Sequence, residues 1–243
     1  PTTPTASSPP KQSSPTTPHT PTEAHVSTAF AVNATAVHNL ASAARACQAR
    51  FIHISTDYVF DGTNKTPYKE QDYTNPQSVY GRTKVSGELL ALAANPDSVI
   101  IRTSWLFSEY GNNFVKTMIR LAGERDNLSI VHDQTGSPTY AGDLAQAIIA
   151  LLQQPVAPRG IYHYGGNKSV TWYEFAQAIF QAAQQQDPDF KIPQLNAITT
   201  DQYPLPAPRP AYSIMDCQKI ENECGIKASD WQKALGSIVG RFD

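Results

Sequence analysis

The stretch Phe51-Ile52-His53-Ile54-Ser55 is a short apolar run rich in β-branched residues, and it predicts a buried strand. Upstream of it, apolar residues recur at helical spacing between 28 and 48, which indicates an amphipathic helix. Downstream, residues 79–94 predict a second helix that ends at Asn95-Pro96, and residues 98–103 predict a second strand. This alternation of helix and strand is typical of a parallel α/β sheet.

The rest of the chain keeps the same alternation. Thr171 is a candidate N-cap, and Glu174 stands where its partner in a capping box is expected. The Pro-rich residues 187–212 are expected to wind across the surface. Further helices are predicted at 113–123, 141–153, 172–185 and 230–239, and further strands at 128–131 and 160–164.

One pair of side chains carries a chemical prediction. Tyr80 and Lys84 are four residues apart on the predicted helix, so they share one face of it. The ammonium favours the phenolate, which predicts a lowered pKa for Tyr80 and a proton available to a developing alkoxide. Thr56 directly follows the first strand, at the end of the sheet where ligands bind in open α/β folds. A Thr at a strand end is by itself ordinary; the ordered combination of strand, hydroxyl residue and Tyr/Lys pair predicts a carbonyl reductase.

Composition narrows the class of protein. The 243 residues have a net charge of −2, which gives no electrostatic case for nucleic acid or an anionic membrane as a partner. No apolar run approaches the roughly 20 residues of a membrane span, and no secretory signal pattern opens the chain. The three cysteines are odd in number and irregular in spacing, which predicts free thiols in the cytoplasm.

Residues 1–22 differ in composition from the rest. They are almost wholly Pro, Thr and Ser and contain no Val, Ile, Leu or Phe. Such a segment buries too little apolar surface to offset its ordering entropy, so it is predicted to be disordered or polyproline-like.

Six blocks in a fixed order resemble the dTDP-4-dehydrorhamnose reductase family of the extended short-chain dehydrogenase/reductase superfamily. The resemblance runs from about residue 24 to the C-terminus. The blocks are STDYVFDG at 55–62, VYGRTKVSGE at 79–88, RTSWLF at 102–107, GNNFVKTM at 111–118, DQTGSPT at 133–139 and APRP at 207–210.

The resemblance implies a catalytic triad. Tyr80 matches the family's catalytic acid, and Lys84 matches the lysine that lowers the Tyr pKa and holds the nicotinamide ribose. Thr56 matches the hydroxyl residue of the triad, where many relatives have Ser. Asn33 matches a helix asparagine on the cofactor side that supports the active-site lysine. His53, like the other histidines on or beside strands, is expected to be packed rather than catalytic, because Tyr and Lys already supply the proton chemistry.

The resemblance also implies a substrate, a cofactor and a reaction. Asp57 and Trp105 match positions that contact a nucleotide-sugar, and Arg209 matches a basic residue that faces the diphosphate. Asp57 as a strand-end turn residue and Trp105 as a packed core side chain are equally fair readings of the residues alone. The implied reaction is the reduction of dTDP-4-dehydro-6-deoxy-L-mannose to dTDP-L-rhamnose with NADPH or NADH. The resemblance leaves a metal unknown and a homodimer open.

The implied fold is a truncated Rossmann-like parallel sheet with helices, plus a smaller C-terminal α+β part. Residues 23–112 are predicted to be the second half of the dinucleotide-binding domain, and 113–243 mainly the substrate-binding part. The family begins with a glycine-rich turn that holds the cofactor pyrophosphate, but the first glycine of this sequence is Gly62.

About four strands of the implied fold, with their helices and this turn, have no counterpart in the sequence, and three expectations follow. Residues 1–243 alone are expected to bind NADPH or NADH poorly and to show little turnover. The strand at 51–55 is expected to form an apolar sheet edge, and the helix at 28–48 to have a partly uncovered apolar face. The alternative reading is a non-catalytic binding or regulatory subunit of the same fold, against which the intact Thr56, Tyr80 and Lys84 argue.

Overall fold

Strand β1 (Ile52–Thr56) forms where the apolar run predicted it, and it pairs in parallel with β2 (Val99–Thr103). Strand β2 also pairs in parallel with β7 (Gly160–His163), so the sheet has the order β1-β2-β7. All five residues of β2 are buried, as expected of a central strand covered on both faces. These strands belong to the computed structural model of the chain, which describes residues 20–204 and 207–241.

The predicted helices are all confirmed, with ends shifted by a few residues at most. The helix that begins at Trp172 has the capping box predicted for Thr171 and Glu174. In chain order, the helices of the described residues are α1 (Thr20–Ala24), α2 (Val26–Phe30), α3 (Ala36–Ala46), α4 (Val79–Ala94), α5 (Phe114–Glu124), α6 (Ala141–Leu152), α7 (Trp172–Gln186), α8 (Gln218–Cys224) and α9 (Trp231–Ile238).

The helix predicted at 28–48 contains an irregular turn. Residues Ala31–Thr35 form a π-helical turn between α2 and α3, which apolar spacing does not reveal. This turn lies against Gly87 of α4, where a Cβ atom would be only 2.1 Å from the backbone oxygen of Asn33. Only glycine permits this approach of the two helices.

Short strands beyond residue 105 build small two-stranded sheets. Strand β4 (Asn127–Val131) pairs in parallel with β9 (Gln194–Ile198), which lies in the Pro-rich segment expected to wind across the surface. The exposed and half-buried side chains of β9 agree with a surface position. The strand itself was not predicted, because pairing with the distant β4 leaves no apolar signal in these five residues. The other pairs are β3 (Leu106–Phe107) with β6 (Thr139–Tyr140), in parallel, and β5 (Thr135–Gly136) with β8 (Val170–Thr171), antiparallel.

Both faces of the three-stranded sheet are covered. Adjacent residues of a strand point to opposite faces, so Ile100 and Ile101 of β2 enter different cores. Ile100 packs with Val37 and Ala41 of α3 and with Ala91 of α4. Ile101 packs on the other face with side chains of α6, β7 and α8, among them Leu144, Leu151, Tyr162 and Ile220.

A buried ion pair ties α4 to the sheet. Arg102 of β2 donates to Glu88 of α4 at 2.7 Å, and both side chains are almost fully buried. The Ser55 hydroxyl of β1 also donates to Glu88. Breaking such a pair leaves an uncompensated buried charge, so the three groups fix the position of α4 over β1 and β2.

A separate aromatic core occupies the remainder of the chain. Its buried members come from β3, α5, β4, α7 and α9, and include Phe107, Val115, Leu128, Phe175, Phe180 and Trp231. Strand β7 and helix α6, although beyond residue 112, belong to the three-stranded sheet and its cover. The domain boundary at residue 112 stays a prediction. Of the segment predicted at 1–22, residues 1–19 lie outside the described residues, and α1 begins at Thr20.

The expected open edge is present. Within the described residues, β1 pairs on one side only. Val32 and Leu40, on the π-helical turn and α3, are each 61% exposed. The predictions of a sheet edge at β1 and of a partly uncovered helix face are therefore confirmed for the described residues.

Candidate active site

The carboxyl end of β1 and the first two turns of α4 meet, and they carry the three residues predicted to act together. Thr56 is buried, its hydroxyl donates to Oδ1 of Asp57 at 2.9 Å, and it accepts from the N–H of Tyr58 at 3.2 Å. The side chain of Thr56 is also close enough to Tyr80 to lower the pKa of that phenol. A strand end and a helix start that are distant in sequence therefore place two hydroxyl groups at one point.

Tyr80 lies in the first turn of α4. Burial raises the pKa of Tyr80 to about 12; the hydrogen bond with Thr56 lowers that pKa, and the charge of Asp57 raises it. The expectation of a lowered Tyr80 pKa is wrong for this structure, because burial disfavours the phenolate more than its neighbours favour it. The ring stands edge-on to Tyr58, with centroids 5.7 Å apart.

Lys84 is buried one turn further along α4. Its ammonium donates to the backbone oxygen of Ile54 at 2.6 Å and lies 3.2 Å from Nε2 of His53. Burial lowers the pKa of Lys84 to about 8, and the charge of Glu88 opposes this shift. An ammonium has three donors, so one remains for a ligand.

Asn33 supports the site indirectly, through Thr83. Its side-chain amide donates to the Thr83 hydroxyl at 3.0 Å, and that hydroxyl donates to the backbone oxygen of Tyr80 at 2.8 Å. Asn33 thus fixes the turn of α4 that carries both Tyr80 and Lys84. A direct contact of its side chain with Lys84 is not found among the described residues.

Asp57 is a carboxylate buried at the end of β1. Burial raises its pKa to about 6, while hydrogen bonds from the side chains of Thr56 and Ser213 oppose that shift. Its Oδ2 atom has no hydrogen-bond partner among the described residues. Buried polar atoms are nearly always paired, so Oδ2 is a ready acceptor for a ligand hydroxyl.

Trp105 is packed between protein groups. Its indole stacks on that of Trp172, with centroids 3.5 Å apart and planes 7° from parallel. Gly136 lies so close to the ring that a Cβ atom there would be 2.4 Å from Cε2. Trp172 therefore covers one face of the Trp105 ring, and the nucleotide-sugar contact predicted for Trp105 stays a prediction.

Arg209 reaches the same region from the far end of the chain. Its guanidinium carbon lies 5.9 Å from the ring centroid of Trp172, and its charge acts on the buried Tyr58 hydroxyl. The segment around Arg209 packs tightly against the loop at Gly62, because a Cβ atom on Gly62 would be 2.5 Å from Cβ of Pro210. A cation thus lies near the tyrosine that packs on Tyr80.

Sequence reasoning missed three residues of this neighbourhood. Ser213 hydrogen-bonds Asp57, Trp172 stacks on Trp105, and His53 contacts Lys84. Ser213 and Trp172 come from distant segments, so no local pattern indicates their placement. His53 does carry a signal, because it lies three residues before Thr56 on the strand that ends at the site.

The described residues fit one end of a nicotinamide dinucleotide. The third donor of the Lys84 ammonium fits a hydroxyl such as those of a ribose, whereas a pyrophosphate requires free amides at a helix start. At the start of α4 these amides are already bonded: Gly81 donates to Ser78 Oγ at 3.0 Å, and Tyr80 donates to Glu23 Oε1 at 3.2 Å. The glycine-rich turn that would supply such amides does not occur in the described ranges.

Within residues 20–204 and 207–241, no three His, Cys, Asp or Glu side chains gather as metal ligands would. None of the helices in these ranges has the length and apolarity needed to cross a membrane.

Comparison with known proteins gives one consistent family. The family described as the RmlD substrate binding domain matches residues 17–243. A dTDP-4-dehydrorhamnose reductase of Aggregatibacter actinomycetemcomitans is 49% identical over 214 residues, which cover 86% of this chain and 73% of that protein.

Solved structures agree with this. A dTDP-4-dehydrorhamnose reductase from Clostridium acetobutylicum superimposes with a TM-score of 0.85 at 38% identity, covering 93% of this chain and 77% of that one. The Bacillus anthracis reductase, solved in complex with NADP, has a TM-score of 0.85 at 35% identity, over 91% and 76% of the two chains. The predicted α/β, Rossmann-like fold class is thereby confirmed.

Proposed function

This chain belongs to the RmlD substrate-binding domain family, and from that premise we propose that it reduces dTDP-4-dehydrorhamnose to dTDP-L-rhamnose with a nicotinamide cofactor. The family resemblance of the six sequence blocks is confirmed by this membership. The observation that carries the proposal is that the buried Thr56 at the carboxyl end of β1 lies next to Tyr80 of α4, while Lys84 of the same helix donates to the backbone oxygen of Ile54 in β1.

The proposed chemistry assigns one task to each side chain. The nicotinamide cofactor supplies a hydride when it is bound. The hydroxyls of Thr56 and Tyr80 hold the substrate carbonyl oxygen between them and stabilise the charge that develops on it. Tyr80 then gives its proton to that oxygen as the carbonyl carbon takes the hydride, which leaves a secondary alcohol and a phenolate. The Lys84 ammonium stabilises that phenolate from the next turn of α4.

We propose that the residues around the triad recognise the nucleotide-sugar. Asp57 offers its unpaired Oδ2 to a sugar hydroxyl, and Arg209 offers a fork of donors that suits a diphosphate. Trp172 covers one face of the Trp105 ring. Trp105 therefore contacts the nucleotide-sugar with its edge, or supports the contact through its stack with Trp172.

We propose that residues 1–243 by themselves bind the cofactor weakly. The support for this is that Ser78 and Glu23 already occupy the first-turn amides of α4. Fluorescence titration with NADPH measures it directly. We expect no saturation at micromolar cofactor, whereas binding in the micromolar range would contradict the proposal.

The reaction is tested with a chimera that compensates for weak cofactor binding. The N-terminal segment of the Aggregatibacter reductase that has no match in this chain is fused before Thr20. We expect the chimera to oxidise NADPH when given dTDP-4-dehydrorhamnose. Tyr80→Phe should lower its kcat by about 10² to 10⁴, the usual contribution of a general acid, with little change in KM. The exposed Tyr73→Phe is the matched control and should leave kcat unchanged.

The outcomes separate the competing readings. Unchanged kcat in Tyr80→Phe would refute Tyr80 as the acid. A folded chimera that binds dTDP and NADPH but turns over no substrate would favour the binding or regulatory subunit. We also propose the cytoplasm as its location, which is supported by three free cysteines.

A further inference from the structure

His53 touches the lysine of the triad, although its position on a strand predicted only packing. Its Nε2 atom lies 3.2 Å from Lys84 Nζ, and the neighbouring Ile54 carbonyl accepts from the same ammonium at 2.6 Å. The Phe51 carbonyl accepts from Val99, so carbonyls at 51, 53 and 55 face β2 and that of Ile54 faces the open edge. Strand β1 therefore holds Lys84 by one side chain and one backbone group.

The protonation states follow from the surroundings. Burial, and then the charge of Lys84, lower the pKa of His53 to about 4, so its imidazole is neutral near pH 7. An ammonium can only donate, which makes Nε2 the acceptor and places the imidazole proton on Nδ1. The charge of Glu88, one turn further along α4, is already paired with Arg102.

We propose that His53 is a positioning residue of the reductase, whose Nε2 atom accepts from Lys84 and aims the third ammonium donor at the cofactor ribose. The role of this contact in aiming Lys84 at the cofactor rests on the proposed function. The contact itself is tested without cofactor or turnover. With two donors anchored to β1, the ammonium has one direction left, and rotation about the long lysine side chain is restrained.

The tautomer of His53 is the first test. Long-range ¹H–¹⁵N spectra of the uniformly labelled chain at pH 7 distinguish a protonated Nδ1 from a protonated Nε2. We expect His53 to carry its proton on Nδ1, and to lose that preference in Lys84→Met, which keeps the apolar stem but removes the donor. A His53 protonated on Nε2 in the unmodified chain would overturn the proposal whether or not the protein is a reductase.

The reactivity of Lys84 is the second test. Acylation of Lys84 with acetic anhydride, followed by peptide mass spectrometry, reports how firmly the amine is held. Loss of a hydrogen bond to a charged group should speed acylation about tenfold in His53→Ala. His53→Gln provides an amide oxygen as acceptor and should stay within about threefold of the unmodified chain. His38→Ala, at an exposed position of α3, is the control and should change nothing.

Rescue by glutamine distinguishes positioning from packing. If Ala and Gln variants accelerate acylation equally, or if neither does, His53 does not position Lys84. Amide hydrogen exchange of α4 in each variant shows that the helix is intact, so a misfolded variant is recognised and excluded. The tautomer measurement stands in either case, because it uses no substitution of His53.

Discussion

At the scale of single residues, Asp57 shows that a residue of the site can lower the stability of the folded protein. A carboxylate buried at a strand end, with one oxygen unpaired, is stabilised less than it would be in water. Its pKa is raised to about 6, so the folded protein holds the proton more tightly than the unfolded chain does. Above pH 6 the native state carries the full penalty of an ionised, buried Asp57.

Replacement of Asp57 by Asn should therefore stabilise the fold in a pH-dependent way. Above about pH 6 we expect a gain in unfolding free energy on the order of 3 kcal/mol, the equivalent of a shift from 3.8 to about 6. The gain should shrink as the pH falls and vanish below pH 3.8, where Asp57 is protonated in both states. Thermal unfolding from pH 3 to pH 8 measures it. Asp126→Asn, at an exposed position, is the control, and a pH-independent gain would contradict the argument.

At the scale of elements, the site depends on a close helix contact. The π-helical turn brings the backbone of Asn33 against Gly87 of α4, beside the turn that holds Lys84. A side chain at position 87 would push the two helices apart and displace the Asn33–Thr83 hydrogen bond.

Gly87→Ala should destabilise the protein by about 1–3 kcal/mol, the usual cost of overpacking. Gly123→Ala is the matched control, because Gly123 is also helical and has open space where its Cβ would lie. That variant should be more stable than the unmodified chain by about 0.5–1 kcal/mol. Denaturant unfolding compares the two, and equal changes would mean that the contact at Gly87 is not tight.

Local signals predicted most elements and failed where pairing is remote. Local signals were sufficient for α4, which ends at the predicted Asn95-Pro96 stop, and for α7, which begins at the predicted capping box. Strand β9 and helix α8 were missed, because short polar stretches are ordered there by contacts with distant parts of the chain. The grouping of Thr56, Tyr80 and Lys84 was predicted from their order along the chain together with the family resemblance, whereas Ser213 could not be predicted, because nothing near it in sequence points to Asp57.

At the scale of the whole molecule, the described residues expose an apolar region beside a one-sided sheet. Val32 and Leu40 lie on the helix next to the open edge of β1, and a sheet edge is a template for pairing with another chain. Association of the isolated polypeptide is expected to begin there.

The double variant Val32→Lys/Leu40→Lys should remain monomeric at concentrations where residues 1–243 associate. Added charge opposes association, and both positions are too exposed to cost folding energy. Light scattering against concentration measures this. Val156→Lys/Tyr110→Lys adds the same charge at other exposed sites, and equal improvement there would show that net charge, not this surface, is responsible.

The pairing of β2 with β7 and of β4 with β9 also limits when these strands can pair during synthesis of the chain. Each pair joins segments about 60 residues or more apart in the sequence. Strand β4 of the second pair is synthesised before β7, the partner of β2. A ribosome must therefore release the chain past His163 before the central strand gains its second neighbour, and past Ile198 before β4 is paired. Until then the apolar strands are unpaired. Folding is therefore expected to be slow and to depend on protection of the nascent chain from aggregation.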